Sequence, residues 1–207
     1  MPAALQDWIV PIFLGLGLSA ATGLRTFLPL LILGLAARFG LFGATINPHA
    51  AWMHSTPALI ALGVATLAEL LADKVPIVDH ALSAMGTVTR PLAGALAAGA
   101  VFSQADPAVA ILAGIVIGAP TALAFHSAQT GARLLSTTTT GGLGNPFVSI
   151  LEDIASAMLS VMALLAPYLA AIAVGLLLLL GFRARARLRR RLQAPFVSRV
   201  LPPGPGY

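Results

Sequence analysis

Ionisable residues that interrupt long apolar stretches are the first candidates for chemistry in this sequence. Glu69 and Asp73 are four residues apart, which places them on one face of a helix. Glu152 and Asp153 are adjacent near the start of a later stretch, and Arg25 lies inside the first one. A charge at membrane depth costs at least about 2.5 to 3.5 kcal/mol, so it needs a partner, water or an interface. We therefore expect these side chains to meet.

Arg133, near the inner end of the fourth apolar segment, completes a predicted polar vestibule that opens to the cytoplasm. In one interpretation Arg25 and Arg133 bind an anionic solute or a lipid phosphate while a desolvated carboxylate carries a proton. In the other, the arginines only neutralise the acids in buried ion pairs.

The polar stretch that begins at Ser136 is a second candidate site. Asn145 suits an N-cap and Pro146 suits the first helical position, so we predict a glycine-rich approach to a helix N-terminus. Such an end offers free N–H groups to an anion or a head group. A flexible polar connector is the alternative. Hydroxyls that would add ligands belong to Thr138, Thr139 and Thr140.

No pattern for metal or covalent chemistry is visible. Asp79 is predicted to cap a short amphipathic helix that ends near Gly86, and with His80 and the preceding carboxylates it matches no metal-ligand spacing. His126 could relay a proton, although interhelical hydrogen bonds explain it more simply. The chain has no cysteine. We predict no metal, cofactor or catalytic residue, and enzyme activity is the less favoured class.

The elements that must position these residues are transmembrane helices. Hydrophobic residues make up 58% of the 207 residues and charged ones only 9%, which excludes a soluble enzyme and a disordered chain. Apolar segments span about 8–41, 56–73, 90–105, 107–135, 147–165 and 167–182. They predict an all-α polytopic transmembrane helical bundle of about six crossings. The faces rich in small residues suit helix packing, and they would also allow a homo-oligomer.

The first apolar segment is too long for one straight crossing. As a helix it would span about 51 Å, against a hydrocarbon core of about 30 Å. Gly23, Arg25 and Pro29 lie near its centre, so we predict a kink or a break there, the latter giving two half-length helices and seven segments.

Basic charge is concentrated after residue 182. Residues 1–182 carry five basic residues against all seven acids, whereas seven arginines follow. An arginine run directly after an apolar segment is typical of a cytoplasmic flank. We predict one transmembrane domain over 1–182 and a basic, Pro-rich cytoplasmic tail over 183–207. The tail suits anionic lipids, whereas nothing resembling a nucleic-acid module accompanies it.

Counting six crossings back from this tail gives the topology. Residues 74–89 and 136–146 then lie inside, flanked by Lys74 and Arg90, and the N-terminus lies inside unless the first segment breaks. Residues 42–55 and Asp106 lie outside, with Trp52 as an interface anchor. We expect a multi-pass protein of a bacterial inner membrane.

Two heptapeptides resemble each other. Residues 19–25 read Ser-Ala-Ala-Thr-Gly-Leu-Arg and residues 127–133 read Ser-Ala-Gln-Thr-Gly-Ala-Arg. Three segments follow the first copy before the second begins, an odd number that predicts an inverted repeat, as in many transporters. Chance agreement among common small residues is the alternative.

Several blocks of the sequence resemble one family. They are residues 19–29, 69–80, Arg90-Pro91 and the stretch from Ser136 through Asp153. They look like domain of unknown function 4126, an uncharacterised bacterial membrane family, over about residues 8–182. The resemblance implies a polytopic membrane fold and no established activity.

Two functions remain open on the sequence. The leading hypothesis is a small transporter or permeation protein for an anionic solute or lipid head group, in which a carboxylate could couple transport to a proton. The alternative is a membrane scaffold that does not transport and that oligomerises through small-residue helix faces.

Overall fold

The computed structural model describes the backbone over residues 3–73 and 76–200, and side chains over 7–73 and 83–187. Within these ranges every regular element is helical, which confirms the all-α class. Lys74 and the side chains of Asp79 and His80 lie outside the described residues. The α-helices are α1 (Ala3–Leu24), α2 (Leu28–Phe39), α3 (Thr56–Ala72), α4 (Pro76–Ala100), α5 (Pro107–Ala113), α6 (Ala119–Thr140), α7 (Asn145–Leu165) and α8 (Pro167–Val200).

Short helical turns complete the chain. Two 3-10 helices, Leu41–Gly43 and Pro48–His54, lie between α2 and α3, and a π-helical turn, Gly114–Gly118, joins α5 to α6. Within the described part of the chain, four helices are long and apolar enough to cross a membrane. A fifth span results if Pro48–His54 and α3, which are bent by 63°, form one crossing. These apolar helices are those of a multi-pass membrane protein.

The first apolar segment is broken, as predicted. α1 ends at Leu24, and α2 begins at Leu28 with Pro29 in its first turn, where the missing N–H of proline is tolerated. With only 12 residues, α2 is about 18 Å long, shorter than the hydrocarbon core. The break divides the segment into one long helix and one short helix.

α1 and α2 form a hairpin, as two contacts with the end of α4 show. The ring of Trp8, near the start of α1, lies 6.2 Å from that of Phe102. Asn47, which follows α2, donates its backbone N–H to the Ala100 carbonyl at 2.6 Å. The start of α1 and the end of α2 therefore lie at the same end of the bundle. The hairpin reverses the N-terminal part relative to the six-crossing topology.

The helices that carry the two heptapeptides, α1 and α6, run in the same direction. Along α1, Ser19 Oγ donates to the Gly94 carbonyl and Arg90 donates to the Gly23 carbonyl, so α1 is antiparallel to α4. Along α5 and α6, contacts of Gly118 with Gly94 and of His126 with Arg90 show that they are antiparallel to α4 as well. The inverted orientation predicted from the segment count does not hold for this pair. Three helices, α2, α3 and α4, lie between the copies, so the chain reverses four times and α6 returns to the direction of α1.

Glycines allow α4 to approach the α5–α6 helix closely. A Cβ on Gly118 would lie 2.2 Å from the Gly94 carbonyl oxygen, and one on Gly114 would lie 2.2 Å from the Ala95 carbonyl oxygen. Backbone therefore packs directly on backbone at this crossing. The predicted use of these small residues for helix packing is confirmed. α1 packs against α4, α6 and α7 and so lies at the centre of the bundle.

Three predicted element boundaries are wrong. Asp79 does not cap a separate short helix, because α4 runs without interruption from Pro76 through Gly86. Residues 136–140 are not a loop but the last turns of α6, where Thr140 Oγ1 donates to the Ser136 carbonyl at 2.7 Å. The N-cap of α7 is Gly144, and Asn145 is already helical. At the end of α6, side-chain bonds to the preceding turn accompany the extension of the helix through the polar stretch.

The chain divides into two compact units, Met1–Val174 and Gly175–Tyr207. The first contains the candidate site described below. In the second, residues 183, 185 and 187 are exposed arginines, and side chains beyond 187 lie outside the described part. The domain boundary after residue 182 stays a prediction.

Candidate functional site

Arg25 is a fully buried cation at the break between α1 and α2. Its guanidinium pairs with the carboxylate of Asp73, the residue after α3. Nη2 donates to the carbonyl and the hydroxyl of Ser149 at 3.0 and 2.9 Å, and Nε lies 2.5 Å from Asp153 Oδ1. One side chain thus links the ends of α1 and α3 to the first turns of α7.

Arg133 on α6 extends this network. Its Nη2 lies 2.5 Å from Glu152 Oε2 and 2.8 Å from Asp73 Oδ2. Gln129, one turn earlier on α6, donates from Nε2 to Glu152 Oε2 at 2.6 Å. Asp73 therefore receives both Arg25 and Arg133, the last residues of the two heptapeptides.

The network is positioned by one face of α7. Ser149, Glu152, Asp153 and Ser156 follow the i, i+3, i+4, i+7 spacing that puts side chains on one stripe of a helix. Ser156 Oγ donates to the Ala21 carbonyl at 3.0 Å, which fixes this stripe against α1. The polar pattern of α7 thus faces the protein interior rather than lipid.

Glu69 has a different role from the other carboxylates. Its Oε1 accepts the N–H of Thr26 at 2.9 Å and its Oε2 accepts the N–H of Phe27 at 3.2 Å. These donors lie at the start of α2, where helix geometry leaves N–H groups without a partner and favours negative charge. A carboxylate from α3 therefore supplies the cap that Phe27 itself does not provide.

Arg90 completes the other side of the break. Its Nη1 donates to the Gly23 carbonyl at 2.9 Å and lies 3.0 Å from His126 Nδ1, while Nη2 lies 4.0 Å from Glu69 Oε1. Because a guanidinium only donates, His126 accepts at Nδ1 and is neutral. Thr87 Oγ1 lies 3.4 Å from its Nε2. Interhelical hydrogen bonds thus account for this histidine.

The prediction that Arg90 flanks a loop is wrong. Arg90 is 5% exposed and lies inside α4. The error follows from placing the start of the helix at residue 90, fourteen residues later than Pro76.

Two further members of the network, Ser149 and Gln129, were not predicted from the sequence. The spacing of Ser149 to Glu152 and of Gln129 to Arg133 on their helices is the signal that could have identified them.

The structure does not bring the predicted threonines into this network. Thr139 Oγ1 donates to the Leu135 carbonyl at 2.8 Å, and Thr138 and Thr140 make similar bonds within α6. Asn145 Nδ2 donates to Thr137 Oγ1 at 3.0 Å across the α6–α7 turn. These described bonds are local and exposed. The role of the three threonines and of Asn145 as substrate ligands stays a prediction.

A sequence model of one family, described as Domain of unknown function (DUF4126), matches residues 12–187 and so covers the whole network. The chain belongs to this family. The resemblance drawn from the sequence blocks is confirmed. No curated protein and no solved structure matches the chain.

The network of this DUF4126 protein offers guanidinium donors that can bind an anion and carboxylates that can take up a proton. The linked groups contain three arginines and four carboxylates among the described side chains. Within the same described part, no group of three or more His, Cys, Asp or Glu could hold a metal ion. Asp153 is the most accessible carboxylate of the network, with its side chain 23% exposed, against 3% for Asp73 and 8% for Glu152.

Proposed function

We propose that this DUF4126 protein is a small membrane transporter that moves an anionic solute or a lipid head group together with a proton. The observation that carries the proposal is the convergence of Arg25 and Arg133, from two different helices, on Asp73 beside a broken helix. Transporter sites are often built at helix breaks, where half-helix ends supply unpaired backbone groups. We place the protein in a bacterial inner membrane with its tail in the cytoplasm.

The protein's own carboxylates occupy the groups that an anion would need. Arg25 and Arg133 are held by Asp73, Glu152 and Asp153. The N–H groups at the start of α2 are held by Glu69. An incoming anion must therefore compete with them, so this arrangement corresponds to a closed site.

Protonation of a carboxylate would weaken that competition. A neutral carboxylic acid gains an O–H donor and still accepts hydrogen bonds, but it loses its charge, so its arginine becomes available to a solute anion. Asp153 is the best point of proton entry because it is the most exposed member. Proton binding and anion binding would then favour each other, as linkage requires.

Transport is tested in vesicles of phosphatidylethanolamine and phosphatidylglycerol that contain the pH dye pyranine. Inorganic phosphate, sulfate or glycerol phosphate is added outside, and coupled entry of an anion with protons acidifies the lumen. We expect faster acidification than in protein-free vesicles with at least one of these anions. No acidification with any of them contradicts transport of this class.

The discriminating variant is the pair Arg133→Gln with Glu152→Gln. Arg133→Gln alone leaves Glu152 without its closest cation, and breaking a buried pair costs about 3 to 5 kcal/mol. The second change removes that unpaired charge, so the double variant should be folded but unable to acidify the vesicles. Arg38→Gln is the matched control, since Arg38 is exposed and contacts only the His54 carbonyl among the hydrogen bonds described for it. A double variant as active as wild type would overturn the proposal.

A scaffold function is the second candidate. It is favoured by the fact that each of Arg25, Arg90 and Arg133 already faces a carboxylate, as structural ion pairs require. The glycines that it would use for oligomerisation, however, include Gly94, Gly114 and Gly118, which pack within the chain. As a scaffold, the protein would assemble with other copies and with anionic lipids at its basic tail. A functional, fully assembled double variant is the result that it predicts.

A further inference from the structure

We propose that the bundle end opposite the charge network contains a lateral groove that binds one acyl chain of a membrane phospholipid. A cavity of about 320 Å³ lies there, between the 3-10 helix Pro48–His54, the end of α4 and the start of α5. Its walls include Trp52, Leu96, Gly99, Ala110, Ile111 and Ile115. The proposal does not depend on transport.

The groove forms where α4 and α5 pack without intervening side chains. A Cβ on Gly99 would lie 2.9 Å from the Ala110 carbonyl oxygen, so the two backbones nearly touch. Larger apolar side chains line the groove beside this contact, Leu96 from α4 and Ile111 and Ile115 from the α5–α6 helix. The π-helical turn Gly114–Gly118 widens the helix at this level and carries Ile115. The groove is therefore lined mainly by apolar side chains from both helices.

The mainly apolar lining of the groove favours an apolar ligand. Apart from His49 and the indole N–H of Trp52, the polar side chain in the lining is that of Asn47. Asn47 is 3% exposed, and its amide is already bonded to the carbonyls of Phe102 and Ala105 and to the His49 N–H. A polar solute would find few partners in this groove and would lose its hydration.

The position of the opening identifies the occupant as lipid. Ile111 and Ile115 are 62% and 53% exposed and belong to Pro107–Thr140, one of the helices long and apolar enough to cross the membrane. The medium in front of them is therefore hydrocarbon. Trp52, 53% exposed at the rim, is of the type that lies at head-group level. A chain entering sideways would thus have its head group near Trp52 and His49.

Photolabelling tests the groove in the full-length protein. The protein is placed in vesicles of phosphatidylethanolamine and phosphatidylglycerol that contain a phosphatidylglycerol with an aryl diazirine on one acyl chain. After illumination, adducts are mapped by peptide mass spectrometry. We expect adducts on the inner wall at Ala95, Leu96 or Gly99. Adducts confined to outward-facing side chains such as Leu112 would overturn the proposal.

Two tryptophan substitutions provide a matched comparison. Ile111→Trp fills the mouth of the groove, whereas Leu112→Trp places the same side chain on the next residue, which is 59% exposed and does not line the cavity. We expect Ile111→Trp to reduce inner-wall labelling to less than half and Leu112→Trp to leave it unchanged. Equal labelling in both variants contradicts the proposal. Should Ile111→Trp fail to fold, the wild-type adduct map alone decides the question.

Discussion

Arg25 shows at the residue scale why one amino-acid type is required. Its guanidinium serves Asp73, Ser149 and Asp153 at once, and no part of the side chain is exposed. Arginine presents five N–H donors in a fixed planar fork, whereas lysine presents one compact ammonium on a flexible stem. The site therefore uses the geometry of arginine as well as its charge.

We predict that Arg25→Lys destabilises the protein although the charge is kept. The ammonium cannot reach both Asp73 and Asp153, so a buried carboxylate loses its partner, at about 3 kcal/mol or more. Thermal unfolding in detergent measures the loss. Arg38→Lys is the control, because Arg38 is exposed and donates to the His54 carbonyl. Equal melting temperatures for Arg25→Lys and Arg38→Lys would show that charge alone suffices.

At the scale of elements, the break between α1 and α2 is held from both sides. Arg90 of α4 donates to the Gly23 carbonyl at the end of α1, and Glu69 of α3 accepts the N–H groups of Thr26 and Phe27 before α2. Backbone groups freed by a broken helix must be paired where water is scarce. The charged residues of α3 and α4 thus stabilise the hairpin as well as the network.

The crossing of α4 with the π-helical turn Gly114–Gly118 supports a second prediction. Gly118→Ala would place a Cβ 2.2 Å from the Gly94 carbonyl oxygen, so the helices must separate. We expect a loss of about 1 to 3 kcal/mol, as for other overpacked sites. Unfolding followed by circular dichroism with increasing denaturant measures it.

Gly131→Ala, in α6 of the same continuous span Pro107–Thr140, is the opposite case. Nothing lies within 4 Å of the Cβ that it would add, and alanine is the better helix former. We expect this variant to be as stable as wild type or more stable, by up to about 1 kcal/mol. Similar destabilisation by both substitutions would refute the close packing of α4 on the π-helical turn.

At the scale of the whole molecule, the hairpin decides which ends of the helices lie together. The connection between α2 and α3 lies with the end of α4, whereas Asp73 and the start of α7 lie at the other end with Arg25. The charge network and the apolar groove therefore occupy opposite ends of the first unit. The proposed transport site and the proposed lipid-binding groove would thus be separated along the membrane normal.

Cysteine labelling tests this arrangement, because the native chain has no cysteine. Cysteines are placed singly at Trp52, in the α2–α3 connection, and at Leu143, which is 83% exposed in the α6–α7 turn. The positive-inside pattern predicts that position 52 reacts with an impermeant thiol reagent in intact cells and position 143 only after permeabilisation. Reaction of both from the same side would contradict the helix directions.

The sequence by itself determined the class of the protein and most members of its charge network. The length of the apolar segments and the scarcity of charged residues predict membrane helices, because a helix satisfies its backbone hydrogen bonds internally where the bilayer offers no water. The length of the first segment and Pro29 predict its break. Arg25, Asp73, Arg133, Glu152 and Asp153 could be proposed together, since each buried charge needs a partner. These features depend on local composition or on the energy of a single group.

Only the tertiary structure decided the direction of the chain after the break. A kink and a hairpin give the same local sequence signal, and the difference lies in the contacts of Trp8 and Asn47 with the end of α4. That choice sets the relative direction of α1 and α6 and overturns the inverted orientation. It also buries Arg90, whose partners are distant in sequence. Local sequence cannot specify such pairings, because they depend on which helices pack together.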